Sequence, residues 1–170
     1  LDRLVSVRDY ADFARNYVAI EKAVAKRFLV NGQPTVHVTI AGAGDLPIAD
    51  DSDLLANLKQ AYRQLGDPIQ VVSVESRELL LIFLSLRIRL LPDYEWTSVE
   101  TGIKHRLYED FSFSRRDLAQ DIYLSEVQSS IQSVSGVAYV DVEIFATLSK
   151  RDFEDALKQS TGPGTSNNPL

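Results

Sequence analysis

Apolar positions recur along this chain with two alternating periods, and the switches between the periods mark out its elements. From Ser6 the spacing is helical: Tyr10, Phe13, Ala14 and Tyr17 form one stripe, with Ser6 as cap and Asp9 at the capping-box position. Ile20–Val30 then reads as a strand and Asn31-Gly32 as a hairpin turn. Thr35–Ile40 is the returning strand, with Val36, Val38 and Ile40 on one face. Residues 41–48, bearing Gly42, Gly44 and Pro47, are a loop. Asp50–Asp53 opens a second helix, with the aspartates capping its amides and meeting the positive end of its dipole. Its apolar face is Leu54, Leu55, Leu58, Ala61, Tyr62 and Leu65. Gly66-Asp67-Pro68 ends it, and Ile69–Glu75 is a further strand.

The second half repeats the vocabulary. Leu80, Ile82, Leu84, Leu86, Ile88 and Leu90 alternate along a strand whose wetter face carries Arg87 and Arg89. Thr97 and Glu100 form a capping box for a helix burying Val99, Ile103, Leu107 and Phe111. Ser112–Asp121 is polar and irregular, with room for a short strand. Ser125, answered by Gln128, caps a last helix with Val127, Ile131 and Val134 on its stripe. Gly136 stops that helix. From there Ala138, Val140, Val142, Ile144, Ala146 and Leu148 alternate on one face of a strand.

These elements predict an α+β fold of two small split-βαβ (ferredoxin-like) subdomains, each a small sheet with helices on one face. The subdomains span residues 1–75 and 76–149, and residues 150–170 form a C-terminal arm. A weak internal echo links the halves: Tyr10, Ala14, Tyr17, Ile20 and Ala23 share their spacing with Val127, Ile131, Val134, Val137 and Val140. In the arm, Arg151–Gln159 has short-helix spacing with Phe153, Ala156 and Leu157 on one side. Ser160–Leu170 has almost nothing apolar to bury and is expected to order only against a neighbouring chain.

Composition narrows the chemistry. The 170 residues include no Cys, which removes disulfides, thiolate metal sites and Cys nucleophiles. A net charge of −6 opposes general binding to nucleic-acid phosphates. No apolar run reaches the ~18–20 residues of a membrane span. The sequence contains no Met, so it is expected to be part of something longer. The two histidines, His37 and His105, lack metal-ligand spacing and read as solvent-facing or sheet-edge residues. Asp45, Asp50, Asp51 and Asp53 lack the glycine and distal Glu of a calcium loop. The AGAGD stretch around Gly42 and Gly44 lacks the Lys and Ser/Thr of a phosphate loop. No Ser stands in a nucleophile elbow. No cofactor, metal or catalytic residue is assigned. Trp96 reads as a core lid, with an interface anchor as the alternative.

The order of motifs resembles the baseplate J-like protein family. The segment SVRDYADFARNYVAIEKAVAKRF is similar to that family's opening helix and strand, through Val5, Asp9, Tyr10, Ala14 and Ala23. Ala19 and Ile20 stand where Gly-Val is commoner. YLSEVQSSIQSVSGVAYV is similar to its closing helix and strand, through Tyr123, Leu124, Ser125, Glu126, Val127, Gly136, Val137 and Val140. The resemblance covers 5–148 and points to the family's C-terminal part. It implies a non-enzymatic baseplate wedge component of a contractile tail or injection system. Such a component is assembled in the cytoplasm with other wedge proteins and with copies of itself, in a ring around the hub. The residues expected at its interfaces are Tyr94 and Trp96 at one corner, Phe113, Arg115 and Arg116 in the polar loop, and Phe153, Leu157, Pro163 and Leu170 in the arm. The alternative is a small-ligand regulatory module using the AGAGD loop and its acidic neighbours.

Overall fold

The computed structural model describes residues 3–149 and 152–153, which fall into two compact units. The first runs up to Arg77 and also takes in Tyr108–Asp121; the second comprises Glu78–Leu107 and the residues from Ile122 on.

In the first unit, α1 (Val7–Arg15) begins at a reciprocal capping box. The Ser6 hydroxyl accepts from the Asp9 amide at 3.2 Å, and the Asp9 carboxylate accepts from the amides of Ser6 and Val5 at 2.8 and 3.0 Å. Those amide bonds favour the ionised carboxylate and hold its pKa below the ordinary value. β1 (Ile20–Val30) and β2 (Gln33–Gly42) are joined by Asn31 and Gly32, at φ 51° and 79°, which is the backbone an Asn-Gly hairpin supplies. α2 (Asp53–Leu65) is capped by Ser52, whose hydroxyl accepts from the Leu55 amide at 3.4 Å. The capping role expected of the aspartates therefore falls to the serine beside them. β3 (Val71–Ser76) completes a sheet of order β1-β2-β3. β1 and β2 are antiparallel; β3 lies parallel to β2, with Val71–Ser76 opposite Thr35–Ile40. The crossover through α2 returns the chain directly beside β2, so the parallel pair is adjacent.

One face of this sheet carries Ala23, Val36, Val38, Ile40 and Val74. These pack with Tyr10, Ala14, Leu55, Leu58 and Tyr62 of the helices into a continuous buried core. The Tyr10 and Tyr62 rings meet edge-on at 5.3 Å. The Tyr62 hydroxyl is buried and donates to the Tyr10 carbonyl at 2.5 Å. Desolvation, then the neighbouring Tyr17 and Tyr10, push its pKa well above the usual phenol value.

The second unit holds β4 (Leu80–Leu90), most of α3 (Trp96–Phe111), α4 (Leu124–Gln132) and β5 (Val137–Ser149). β4 and β5 form an antiparallel two-stranded sheet. Several details depart from the sequence expectation. Thr97 lies inside α3, where its carbonyl accepts from the Thr101 hydroxyl at 2.9 Å, and Glu100 pairs with Lys104 at 2.7 Å. α4 starts one residue before Ser125: the Glu126 carboxylate accepts from the Tyr123 amide at 3.2 Å, so Ser125 is a helical residue and not the cap. Ser112–Asp121 forms turns rather than a strand.

β5 is also interrupted. Ser85 faces Ile144 while Leu86 faces Val142, leaving Glu143 as an extra residue. Such a bulge shifts the side-chain phase by one. Ala138, Val140 and Val142 are half-buried, but Ile144 and Leu148 beyond the bulge are 54% and 39% exposed. The single apolar face expected along the whole strand therefore holds only up to Val142.

The echo between halves is structural. Adding 117 to the first-unit numbers maps Tyr10, Ala14 and Ile20, all buried, onto Val127, Ile131 and Val137, also buried. The helix-to-strand turns share two successive bonds. Tyr17 donates to Ala14 and Ile20 to Tyr17, while Val134 donates to Ile131 and Val137 to Val134. Each following strand has a register shift at the same place, between Ile20 and Lys22 and between Val137 and Tyr139. Pairing beyond it also corresponds, Ala23 opposite Ile40 and Val140 opposite Ile88. Thus β5 is the counterpart of β1 and β4 the counterpart of β2, taken in the reverse chain order.

Candidate assembly surfaces

The polar loop around Phe113 is held on the first unit. Lys22 donates to the carbonyl of Phe113 and, at 2.5 Å, to that of Arg116, and its ammonium stands 4.6 Å from the centre of the Phe113 ring. The Arg77 guanidinium lies 5.7 Å over the same ring while pairing with Asp45. The Arg116 guanidinium lies 5.4 Å over Phe111 and donates to the carbonyl of Asp121. Phe113 and Arg116 are thus engaged within their own unit, whereas the neighbouring Arg115 is exposed.

Tyr94 and Trp96 share a corner of the second unit. Tyr94 lies against Gly136, where a Cβ would come within 2.4 Å of its ring. The Leu91 amide donates to the Gly136 carbonyl at 2.9 Å, fixing the corner. Trp96 opens α3 and is 49% exposed, so the reading of it as a core lid does not hold. Phe153 meets the Phe83 ring at 5.9 Å, and the Asp152 amide donates to Ser149 Oγ at 3.0 Å. Leu157, Pro163 and Leu170 lie outside the described residues.

Two exposed apolar surfaces were not singled out by sequence. One is the tip of the β1–β2 hairpin, where Phe28, Leu29 and Val30 are all exposed and Phe28 meets His37 edge-on at 6.2 Å. His37 lies on the outer face of the central strand and shares a 2.9 Å hydrogen bond with Ser73 Oγ. The other is the far end of the β4–β5 ribbon, with Phe83, Ile144 and Leu148 on one face and Leu80 on the opposite one. Contiguous apolar residues near a hairpin turn were the available signal for the first surface; the second depends on the bulge.

Two groups of the AGAGD loop are already engaged. The Gly44 amide, which a phosphate would need, donates to the Glu21 carboxylate at 2.7 Å. Asp45 is paired with Arg77. A small recess beside this loop is lined by apolar side chains, among them Leu46, Pro47, Ile48 and Leu54. A shallow cleft along α2 and β3 is lined by Lys59, Arg63, Gln70 and Glu75. No group of His, Asp and Glu suited to a metal ion occurs among the described residues.

Comparison with known proteins bears on the first unit. Residues 2–75 match the family model described as the Baseplate J-like central domain. No curated protein matches the chain. The match is to a central domain, whereas the sequence resemblance points to the C-terminal part. The match over residues 2–75 thus supports the baseplate J-like family, a structural family, for the first unit, and suggests a baseplate structural role.

Proposed function

We propose that the chain is a wedge component of the baseplate of a contractile tail or contractile injection system. It works by assembling with other wedge proteins and with copies of itself around the hub. The family match over residues 2–75 carries this reading. The surfaces agree with it: exposed apolar residues gather at a hairpin tip and at a ribbon end, where a partner would remove them from water. Tyr94, Trp96 and Arg115 are further candidate contacts, as are Leu157, Pro163 and Leu170 in the arm. Burying ~1,200–2,000 Å² in total is what a stable interface of this kind requires. Assembly takes place in the cytoplasm, and the finished particle is a phage tail or tail-like machine.

The test is reconstitution. The full chain is co-expressed with the tail proteins encoded beside it and separated by size. A defined complex containing it supports the reading, and Phe28→Asp or Leu29→Asp should weaken that complex without unfolding the chain. A chain that elutes alone beside fully assembled wedges contradicts it.

A further inference from the structure

The two units share a helix–strand pair and the antiparallel strand beside it, but among the described residues only the first has a third strand. In the first unit β3 closes the far side of β2. The second unit's sheet contains β4 and β5 alone, so the corresponding side of β4 has no strand beside it among the described residues. The chain path accounts for the difference. After α2, residues 66–76 return to build β3; after α3, Ser112–Asp121 belongs to the first unit instead.

The consequence shows in burial. Val36, Val38 and Ile40 on β2 are 0% exposed. Their counterparts Leu84, Leu86 and Ile88 on β4 are only half-buried. The edge carries few of the devices that protect sheet edges: Leu80–Leu86 holds seven residues without a charge or a proline, and Arg87 and Arg89 stand only toward its end.

We propose that the free edge of β4, over Phe83–Ile88, receives an extended segment of another polypeptide, parallel to β4 and carrying branched apolar side chains at alternate positions. β3 is the template. Its six residues pair with Thr35–Ile40, which correspond to Phe83–Ile88, and Val72 and Val74 stand beside Val36 and Val38. The incoming segment therefore sets its inward side chains beside Leu84 and Leu86. Backbone hydrogen bonds along the edge supply affinity, and the alternating side chains supply selectivity. The row that Glu75 occupies beside Thr39 falls at Arg87, so an acidic residue there is favoured and a basic one is not. A second copy of this chain is a poorer occupant. Every strand it has among the described residues already sits in a sheet and offers an edge, not a free segment.

The test is hydrogen–deuterium exchange on the full chain, with and without a synthetic peptide copying residues 69–76. A control peptide carries the changes Val72→Asp and Val74→Asp. At about ten times its dissociation constant the first peptide should slow exchange of alternate amides in 83–88 by about tenfold, while the control leaves them unchanged. Three results overturn the proposal. The first is no protection by the first peptide at millimolar concentration. The second is equal protection by the control. The third is slow exchange before any peptide is added; if that slowing grows with protein concentration alongside a dimer mass, a second copy is the occupant. The proposal is independent of the baseplate role: its failure leaves the family match over residues 2–75 and the assembly test untouched.

Discussion

Gly136 is the residue on which the second unit turns. Its φ of 96° is left-handed, and the ring of Tyr94 occupies the space a side chain would need. Gly136→Ala is expected to destabilise the chain by about 1–3 kcal/mol through strain and overpacking. Gly32 has a similar φ of 79° but nothing within 4 Å, so Gly32→Ala should cost less, about 1 kcal/mol. Denaturant unfolding of both variants checks the order. Tyr62 tests burial: Tyr62→Phe removes the bond to the Tyr10 carbonyl and should cost about 1 kcal/mol. It also carries a pH signature. The phenol's pKa is raised in the folded chain, so above the ordinary phenol pKa of about 10 the unfolded chain binds fewer protons than the folded one. Its contribution is full below that pH and falls as pH rises beyond it; Tyr62→Phe should flatten the alkaline loss. Asp9 has the opposite sign. Its pKa is lowered, so its contribution is present above the unfolded carboxylate pKa and lost as pH falls through the folded value. Asp9→Asn should lower the melting temperature at pH 7 and leave it unchanged in strong acid.

At the scale of elements, what was legible in the sequence was local. Ser6 with Asp9, Asn31-Gly32 and the stripe through Tyr10 and Ala14 each act within a few residues, and each stands where the pattern put it. What was not legible depends on distant partners. The helix cap at Tyr123 is hidden because the carboxylate of Glu126 does the work and tyrosine is no usual cap residue. The loop of Phe113 and Arg116 reads as a free polar segment, but Lys22, about ninety residues away in sequence, holds it. Lys22→Ala should therefore release it. Trypsin cleavage after Arg115 and Arg116 is expected to quicken about tenfold, the effect of losing ~1.4 kcal/mol of charged hydrogen bonding, with little change in melting temperature. The bulge at Glu143 is set by pairing with β4 and leaves the alternation of β5 intact in sequence while breaking it in space. Because the chain has no cysteine, Ile144→Cys gives a single label site. Inserting one residue between Ser85 and Leu86 gives Glu143 a partner and should turn position 144 inward, in phase with Val140 and Val142, and slow thiol labelling. Unchanged labelling would mean that the bulge does not set the face.

Across the whole molecule, the same helix–strand unit is used twice. The shared bonds at Tyr17 and Val134 and the shared register shift show that this is more than a similarity of spacing. The order of elements was readable, but the reversed use of β4 and β5 was not, because strand pairing is not written in periodicity. The candidate surfaces were half legible. Tyr94, Trp96 and Arg115 follow from the sequence and are exposed, whereas the exposure of the apolar hairpin tip, though its residues adjoin a legible turn, emerges from the structure. Among the described residues no helix is long and apolar enough to cross a membrane. Electron microscopy of purified tail particles containing a tagged full-length chain tests the proposed assembly role most directly. The account predicts tag density in the baseplate, and particles without an ordered baseplate when the chain is removed. A tag absent from the particles, with complete baseplates formed in its absence, would contradict it.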